Sequence, residues 1–338
     1  MGTNPKRIKV VIPGGSGQVG RILARWFHAR GDEVVVLSRR PGRGSDPWRV
    51  AGWDGRTLGP WAGELEGADA VINLAGRSVN CRYSTGNRIA ILDSRVESTR
   101  VVGRAIAKAR RPPRAWLQAG TATIYSDRPG SGSDEASGIM DGGPDSWRFS
   151  VEVAKAWERE VERSRTPGTR KVILRSAMTM SPDRGGVFDV LLGLVRLGLG
   201  GRSGDGRQSV SWIHDADFAR AVAWLIDHDE VEGPVNLAAP GPLANSEFMR
   251  ALRDAAGVPL GLPASGWVLE LGAWAMRTEP ELVLKSRRVV PGRLLAGGFA
   301  FEFPEWPGAA ADLHRRWREV RASASGPGGR LGSRPLPA

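Results

Sequence analysis

The 338-residue chain holds a single cysteine, Cys81, and only two tyrosines, Tyr83 and Tyr125. One thiol excludes an internal disulfide and any cysteine-based metal cluster, so no metal is expected. Long hydrophobic runs are missing as well. A membrane span needs about 20 apolar residues, and the nearest approach, Val187–Gly201, is short, glycine-rich and broken by Asp189 and Arg196. No membrane partner is therefore expected. The opening MGTNPKRIKVVIPGG lacks the charged, apolar and small-residue regions of a secretory signal, which makes the cytoplasm the expected location. Acid is scarce relative to base: 36 Asp and Glu stand against 48 Lys and Arg, a net charge of +12. That balance invites a nucleic-acid reading. The basic residues are mostly arginines spread along the chain and interleaved with acids, the pattern of a solvated surface, so a nucleic-acid partner is disfavoured. Residues 1–6 read as a flexible start. Residues 321–338, rich in Gly, Ser and Pro, read as a disordered tail.

What is present is enough for a sizeable core, with 41% hydrophobic residues. The length allows one large domain or two ordinary ones. Apolar runs of period two alternate with helical spacing, the signature of βαβ units and a parallel sheet. Strands are predicted over Arg7–Pro13, Glu33–Leu37, Ala70–Leu74, Ala115–Ala119 and Lys171–Arg175. Helices are predicted over Val19–Ala29, Ser94–Ala109 and Phe149–Arg163. After Met178 the texture changes: helices over Val187–Leu199 and Asp215–Asp227, short strands over Ser209–Ile213 and Pro234–Leu237, then a segment with Phe299, Phe301, Phe303 and Trp306. The fold class is α/β, a doubly wound parallel-sheet Rossmann fold with a smaller mixed C-terminal lobe. The dinucleotide-binding domain is drawn over 7–258, with substrate-lobe segments after about 178, and a small C-terminal domain over 259–320.

Between the first strand and first helix lies Gly14-Gly15-Ser16-Gly17-Gln18-Val19-Gly20. The first glycine of the G-x-x-G-x-x-G pattern permits a tight turn, the second lets backbone approach a pyrophosphate, and the third allows close helix–strand packing. The helix N-terminus adds N–H donors and a positive dipole end. Gly14, Ser16, Gly17, Gln18, Val19 and Gly20 are thus cofactor-binding candidates. The end of the second strand selects the nucleotide, since an acid there favours NAD and an arginine accommodates a 2′-phosphate. The sequence reads Leu37-Ser38-Arg39-Arg40, with no acid. Arg39, helped by Ser38 and Arg40, is the expected phosphate clamp, and NADP(H) is favoured over NAD(H).

Further residues carry a resemblance. They are Asn73-Leu74-Ala75-Gly76, Asp93-Ser94-Arg95, Trp157-Glu158, Leu174-Arg175-Ser176, Gly198-Leu199-Gly200-Gly201, Trp212-Ile213-His214-Asp215, and Val290-Pro291-Gly292-Arg293-Leu294-Leu295 with Gly298-Phe299. In this order they resemble the extended short-chain dehydrogenase/reductases, and among them an atypical branch of epimerase family proteins with an appended domain of unknown function. The likeness covers about Lys9 to Trp317. It implies that Asn73, Leu74, Ala75, Gly76, Arg95 and Arg175 lie on the cofactor side. Some members pair through a helical bundle that includes the equivalent of the Ser94–Ala109 helix, which leaves a homodimer open.

The resemblance also implies a proton-transfer set: a tyrosine, a lysine four residues later that lowers its pKa, and a Ser or Thr that holds the substrate oxygen. Thr121 stands in the Ser/Thr role. Where the Tyr–Lys pair belongs, the chain has Phe149 and Val153, and neither exchanges or tunes a proton. Lys155 is six positions past Phe149 and projects from another part of the helix. Tyr125 is the candidate substitute acid. Glu152, Lys155 and Glu158 read as solvated or helix-pairing charges, His214 as an anchor near the substrate loop, and Cys81 as an inert thiol. Arg82 and Arg88 either approach an anionic substrate or face solvent. The expected function is an NADP(H)-dependent oxidoreductase or epimerase acting on an unidentified small molecule. The alternative is a catalytically inactive NADP(H)-binding sensor or interaction protein.

Overall fold

The computed structural model describes residues 7–42, 46–126, 132–138, 145–263 and 286–325. The central sheet runs β1 (Lys9–Pro13), β2 (Glu33–Ser38), β3 (Arg49–Gly52), β4 (Ala70–Asn73), β5 (Ala115–Thr121), β6 (Arg170–Ser176) and, later in the chain, β10 (Gly233–Leu237). These seven strands lie in the order β10-β6-β5-β4-β1-β2-β3, all parallel. The chain therefore reverses its direction of winding between β1 and β4, which opens a crevice at the carboxyl ends of those strands.

The strands are buried on both faces, and their period of two divides the core. Val10, Ile12, Val34, Val36, Ala70, Ile72, Ala115 and Leu117 join one cluster, with α1 (Gln18–Ala29) and α5 (Asp215–Asp227). Val11, Val35, Leu37, Val71 and Trp116 join the opposite one, with α2 (Thr85–Lys108) and α3 (Asp145–Arg163). The predicted strands and helices thus form, with ends moved by a residue or two in most cases.

Three elements depart from the sequence reading. Helix α2 begins at Thr85, not Ser94, because Ser84 caps it by accepting from the Asn87 N–H. Its first turn, residues 85–88, is polar, and the four apolar residues 89–92 that follow wrap round the helix instead of lining one face. Strand β3 pairs only with β2 at the sheet edge and is partly exposed, so it carries no alternating pattern to read. The predicted Ser209–Ile213 strand divides into β8 (Ser209–Val210), paired with β11 (Leu243–Ala244), and β9 (Trp212–His214), paired with β7 (Met178–Met180).

The second lobe has one core. Phe188, Leu192 and Val195 of α4 (Val187–Arg196) pack with Phe248, Met249 and Leu252 of α6 (Asn245–Ala256), a helix the sequence reading lacked. Trp306, Leu313 and Trp317 of the C-terminal helix complete it. That helix, α8 (Trp306–Ser325), follows the short α7 (Gly292–Ala296). Packing is therefore continuous across the boundary drawn at 258/259. Helix α8 also takes in the first residues of the expected tail; 326–338 and 1–6 lie outside the described residues. Among the described residues no helix is long and apolar enough to cross a membrane.

Candidate dinucleotide site and the groups around it

Gly14 sits at φ +76°, the left-handed region. A Cβ there would lie 2.8 Å from the Ala75 backbone, and one on Gly20 would lie 2.4 Å from Gly15 Cα. The glycines thus let loop, first helix turn and the Asn73–Gly76 turn close on one another. Helix α1 starts at Gln18 with Gly17 as N-cap and no side-chain cap. The first N–H groups of a helix have no intrahelical partner, so this turn offers donors toward the crevice. Ser16 and Gly17 are exposed there. The Val19 side chain packs on the core.

Gln18 carries a further signal that the sequence did not give. Its buried Nε2 has no hydrogen-bond partner among the described residues. A Cβ on Gly186 would lie 2.0 Å from that nitrogen, so the loop before α4 passes directly over the start of α1. Arg25 on α1 bonds Asp183 of the same loop at 2.5 Å. The glycine cradle, uncapped helix turn and orphan amide together fit a pyrophosphate.

At the end of β2, the Ser38 hydroxyl donates to Ser16 Oγ at 3.3 Å and accepts from the Arg40 N–H at 3.2 Å. Arg39 and Arg40 are exposed beside it. Asn73 and Leu74, by contrast, support the site from beneath. Asn73 is fully buried, donates to Gln118 Oε1 at 2.9 Å and accepts from the Ala75 N–H at 3.1 Å. The Leu74 N–H bonds Pro13 O at 2.8 Å, and its side chain packs on the core. Ala75 and Gly76 form the wall facing the loop. Behind Gly76 lies the Arg95 guanidinium, 3.3 Å from where a Cβ would stand. Arg95 donates to the carbonyls of Arg77 and Ile91, both at 3.0 Å, and stacks 4.9 Å over Trp157. Burial pushes its pKa down to about 10.

Thr121 ends β5, accepts from the Thr123 N–H at 3.2 Å and meets the Thr123 hydroxyl at 3.0 Å. Tyr125 and Arg175 stand elsewhere than the sequence reading placed them. Arg175, 4% exposed, holds Glu158 through two bonds of 2.8 Å and donates to the Tyr125 hydroxyl at 2.8 Å. The Tyr125 hydroxyl donates in turn to Asn236 Oδ1 at 2.8 Å. Burial raises the Tyr125 pKa against the opposing pull of Arg175. Burial alone would lower that of Arg175, but Glu158 overrides it and raises it. Tyr125 and Arg175 are therefore a buried clamp joining the turn after β5 to β6, α3 and β10, with the phenol proton donated to Asn236. A cofactor contact for Arg175 has no support in this geometry, and neither has an acid role for Tyr125.

Phe149, where the resemblance places the dyad's tyrosine, packs edge-on against Tyr83 with ring centroids 5.1 Å apart, and Arg88 lies 4.9 Å over its ring. Val153 is buried. His214 is fully buried: Nδ1 accepts from the Ala216 N–H at 3.1 Å and Nε2 faces Asp312 at 3.1 Å, while the ring stacks on Phe303. It anchors α5 to α8. Among the described residues no cluster of three His, Cys, Asp or Glu is arranged to hold a metal.

This architecture has known relatives. The NAD dependent epimerase/dehydratase family profile matches residues 10–238, and a domain of unknown function (DUF1731) matches residues 264–313. Epimerase family protein SDR39U1 of Bos taurus is 36% identical over 312 residues, 90% of this chain and 99% of that protein. Epimerase family protein YfhF of Bacillus subtilis is 27% identical over 307 residues, 90% of this chain and 98% of that protein. Among solved structures, human epimerase family protein SDR39U1 (isoform 2) with NADPH superposes with a TM-score of 0.80 at 31% identity, covering 91% of this chain and 99% of that one. The chain belongs to the NAD dependent epimerase/dehydratase family.

Proposed function

We propose that the protein is an NADP(H)-dependent oxidoreductase or epimerase of the short-chain dehydrogenase/reductase type, acting in the cytoplasm on a small molecule. The observation that carries the cofactor choice is the end of β2. It offers Ser38, Arg39 and Arg40 in place of an acid, and the Ser38–Ser16 bond ties that end to the glycine loop. A 2′-phosphate suits two exposed guanidinium groups, and a carboxylate that would repel it is missing. The solved human relative binds NADPH, which supports the same reading.

In this reading Gly14, Ser16, Gly17, Gly20 and the α1 N-terminus hold the pyrophosphate, with the Gln18 amide completing the shell. Arg39 and Arg40 hold the 2′-phosphate, and Ala75 and Gly76 wall the site beside Arg95. When bound, the nicotinamide supplies hydride chemistry, so the chain needs to position substrate and move one proton. Thr121, at the carboxyl end of β5, is the residue that holds a substrate oxygen in this reading. The loop before α4 covers the Gln18 side of the first α1 turn.

The test is a fluorescence titration that follows energy transfer from the 13 tryptophans to reduced nicotinamide. NADPH is expected to bind tighter than NADH. A charged hydrogen-bond pair of about 1.5–3 kcal/mol corresponds to about 10- to 100-fold. Arg39→Ala should erase most of that ratio; equal or tighter NADH binding by the native chain overturns the assignment. Oxidation of NADPH is then followed across a panel of carbonyls and nucleotide sugars. Phe149 and Val153 favour one second reading, an NADP(H) sensor without turnover. Binding with no oxidation across the panel would support it.

A further inference from the structure

We propose that Asp189 is a positioning residue through which the C-terminal helix α8 holds the loop before α4 over the cofactor. The inference rests on the cofactor reading above. It gives α8, which begins inside the domain of unknown function, a role in binding. Residues 181–186 form that loop. Gly186 is buried where a Cβ would lie 2.0 Å from Gln18 Nε2 and 2.9 Å from Gln18 Cδ, so a small displacement of this backbone uncovers or crowds the Gln18 amide. Gly185 and Gly186 have no side chains with which to fix themselves, and the loop is held by its neighbours. Arg25 on α1 bonds Asp183 at 2.5 Å, but those side chains are 47% and 25% exposed, and water and salt screen such a pair. Asp189 supplies the second hold.

Asp189 stands in the first turn of α4, where a carboxylate suits the positive end of the helix. Its Oδ2 accepts from the Gly185 N–H at 2.9 Å. Its Oδ1 accepts from the Trp317 indole N–H and from Arg321 Nη2, both at 2.7 Å. Trp317 and Arg321 are four residues apart on one face of α8, and Asp189 and Arg196 are seven apart on the facing side of α4. The Trp317 ring also meets two guanidiniums, Arg321 at 4.3 Å and Arg196 at 5.0 Å. The Asp189 side chain is 16% exposed, so its bonds are less screened than the Arg25–Asp183 pair. Burial alone would raise its pKa, but the Gly185, Trp317 and Arg321 donors override that and hold it below the ordinary carboxylate value.

The donors on both sides decide the residue type. A helix cap alone needs one acceptor, which Asn or Ser would supply. A bridge between the Gly185 N–H and the two α8 donors needs an acceptor atom on each side, and among short side chains only a carboxylate has one. An amide in its place turns its NH2 toward one set of donors. The contacts therefore run from the face of α8 through Asp189 and Gly185 to Gly186 and the Gln18 amide.

The test uses two variants of the full chain and two ligands. Asp189→Asn leaves an acceptor for one side only. Trp317→Phe/Arg321→Met keeps apolar contacts and the Gly185 bond but removes both α8 donors. NADPH carries the pyrophosphate; adenosine 2′,5′-bisphosphate carries the 2′-phosphate without it. In stopped-flow displacement followed by NADPH fluorescence, both variants should release NADPH about 10-fold faster than the native chain, the low end for a lost hydrogen bond to a charged group. Both should bind the bisphosphate with native affinity, which also reports an intact fold. Amide exchange at Gly185, measured without ligand, should quicken in Trp317→Phe/Arg321→Met. Faster release in Asp189→Asn alone reduces Asp189 to a local cap and overturns the inference. Native release in both variants, or an equal loss of the two ligands, overturns it as well. Failure of NADPH to bind the native chain overturns the cofactor reading instead, and the exchange rate at Gly185 then decides whether α8 holds the loop.

Discussion

Replacing Glu158 by Gln isolates the buried clamp that ties α3 to β6 and, through Tyr125, to β10. Arg175 and Glu158 side chains are 5% and 10% exposed and share two bonds of 2.8 Å. The substitution keeps the volume but removes the charge, leaving a buried guanidinium that donates to the neutral Tyr125 hydroxyl but has lost its carboxylate. Breaking one side of a buried ion pair costs about 3–5 kcal/mol, because the surviving charge is left desolvated. A chain of this size loses about 2 °C of Tm per kcal/mol, so Glu158→Gln should lower Tm by about 6–10 °C in calorimetry. The double variant Glu158→Leu/Arg175→Met removes both charges and should recover most of that loss. If Glu158→Gln lowers Tm by less than about 2 °C, the clamp does not bear on stability and the reasoning from burial fails.

Three other outcomes follow from the same geometry. Gly20→Ala forces a methyl to 2.4 Å from Gly15 Cα, where only backbone can yield; overpacking of about 1–3 kcal/mol should accompany a loss of NADPH affinity, and native Tm with native binding refutes it. Tyr125→Phe removes the hydroxyl between Arg175 and Asn236; it should cost about 1–3 kcal/mol in denaturant unfolding, and any measured turnover should persist. His214 is held neutral by burial, with Asp215 and Asp312 pulling its pKa upward and Arg316 downward, and the net shift is downward. The unfolded chain therefore binds the extra proton first, so the His214 contribution is complete above the ordinary histidine value near 6.5 and is lost as pH falls below it. Urea unfolding of native and His214→Gln protein between pH 8 and 5 should show the native advantage shrinking on the acid side, and a constant difference would count against the assignment.

What the sequence by itself determined is local and periodic. The alternation of Val10, Val11 and Ile12 between two faces specified a doubly buried strand, and Gly14, Gly17 and Gly20 specified the turn that follows it. Ser38-Arg39-Arg40 showed that no acid ends the second strand, and Phe149 and Val153 stand where the resemblance places a Tyr–Lys pair; each is a statement about residue type at one position. Helix α2 began earlier than its apolar pattern because a single capping hydroxyl, Ser84, starts it without a hydrophobic stripe. Tertiary structure decided everything that joins distant segments. Tyr125 and Arg175 read as site residues from their motifs, yet Glu158 and Asn236, supplied by other elements, turn them inward as a clamp. Gln18 gained its meaning from Gly186 passing over it. Only the packing of α2 against α3 brings the Tyr83 ring to Phe149. Spacing along a chain fixes which face a side chain occupies, but which face it meets is set by the crossovers of the sheet.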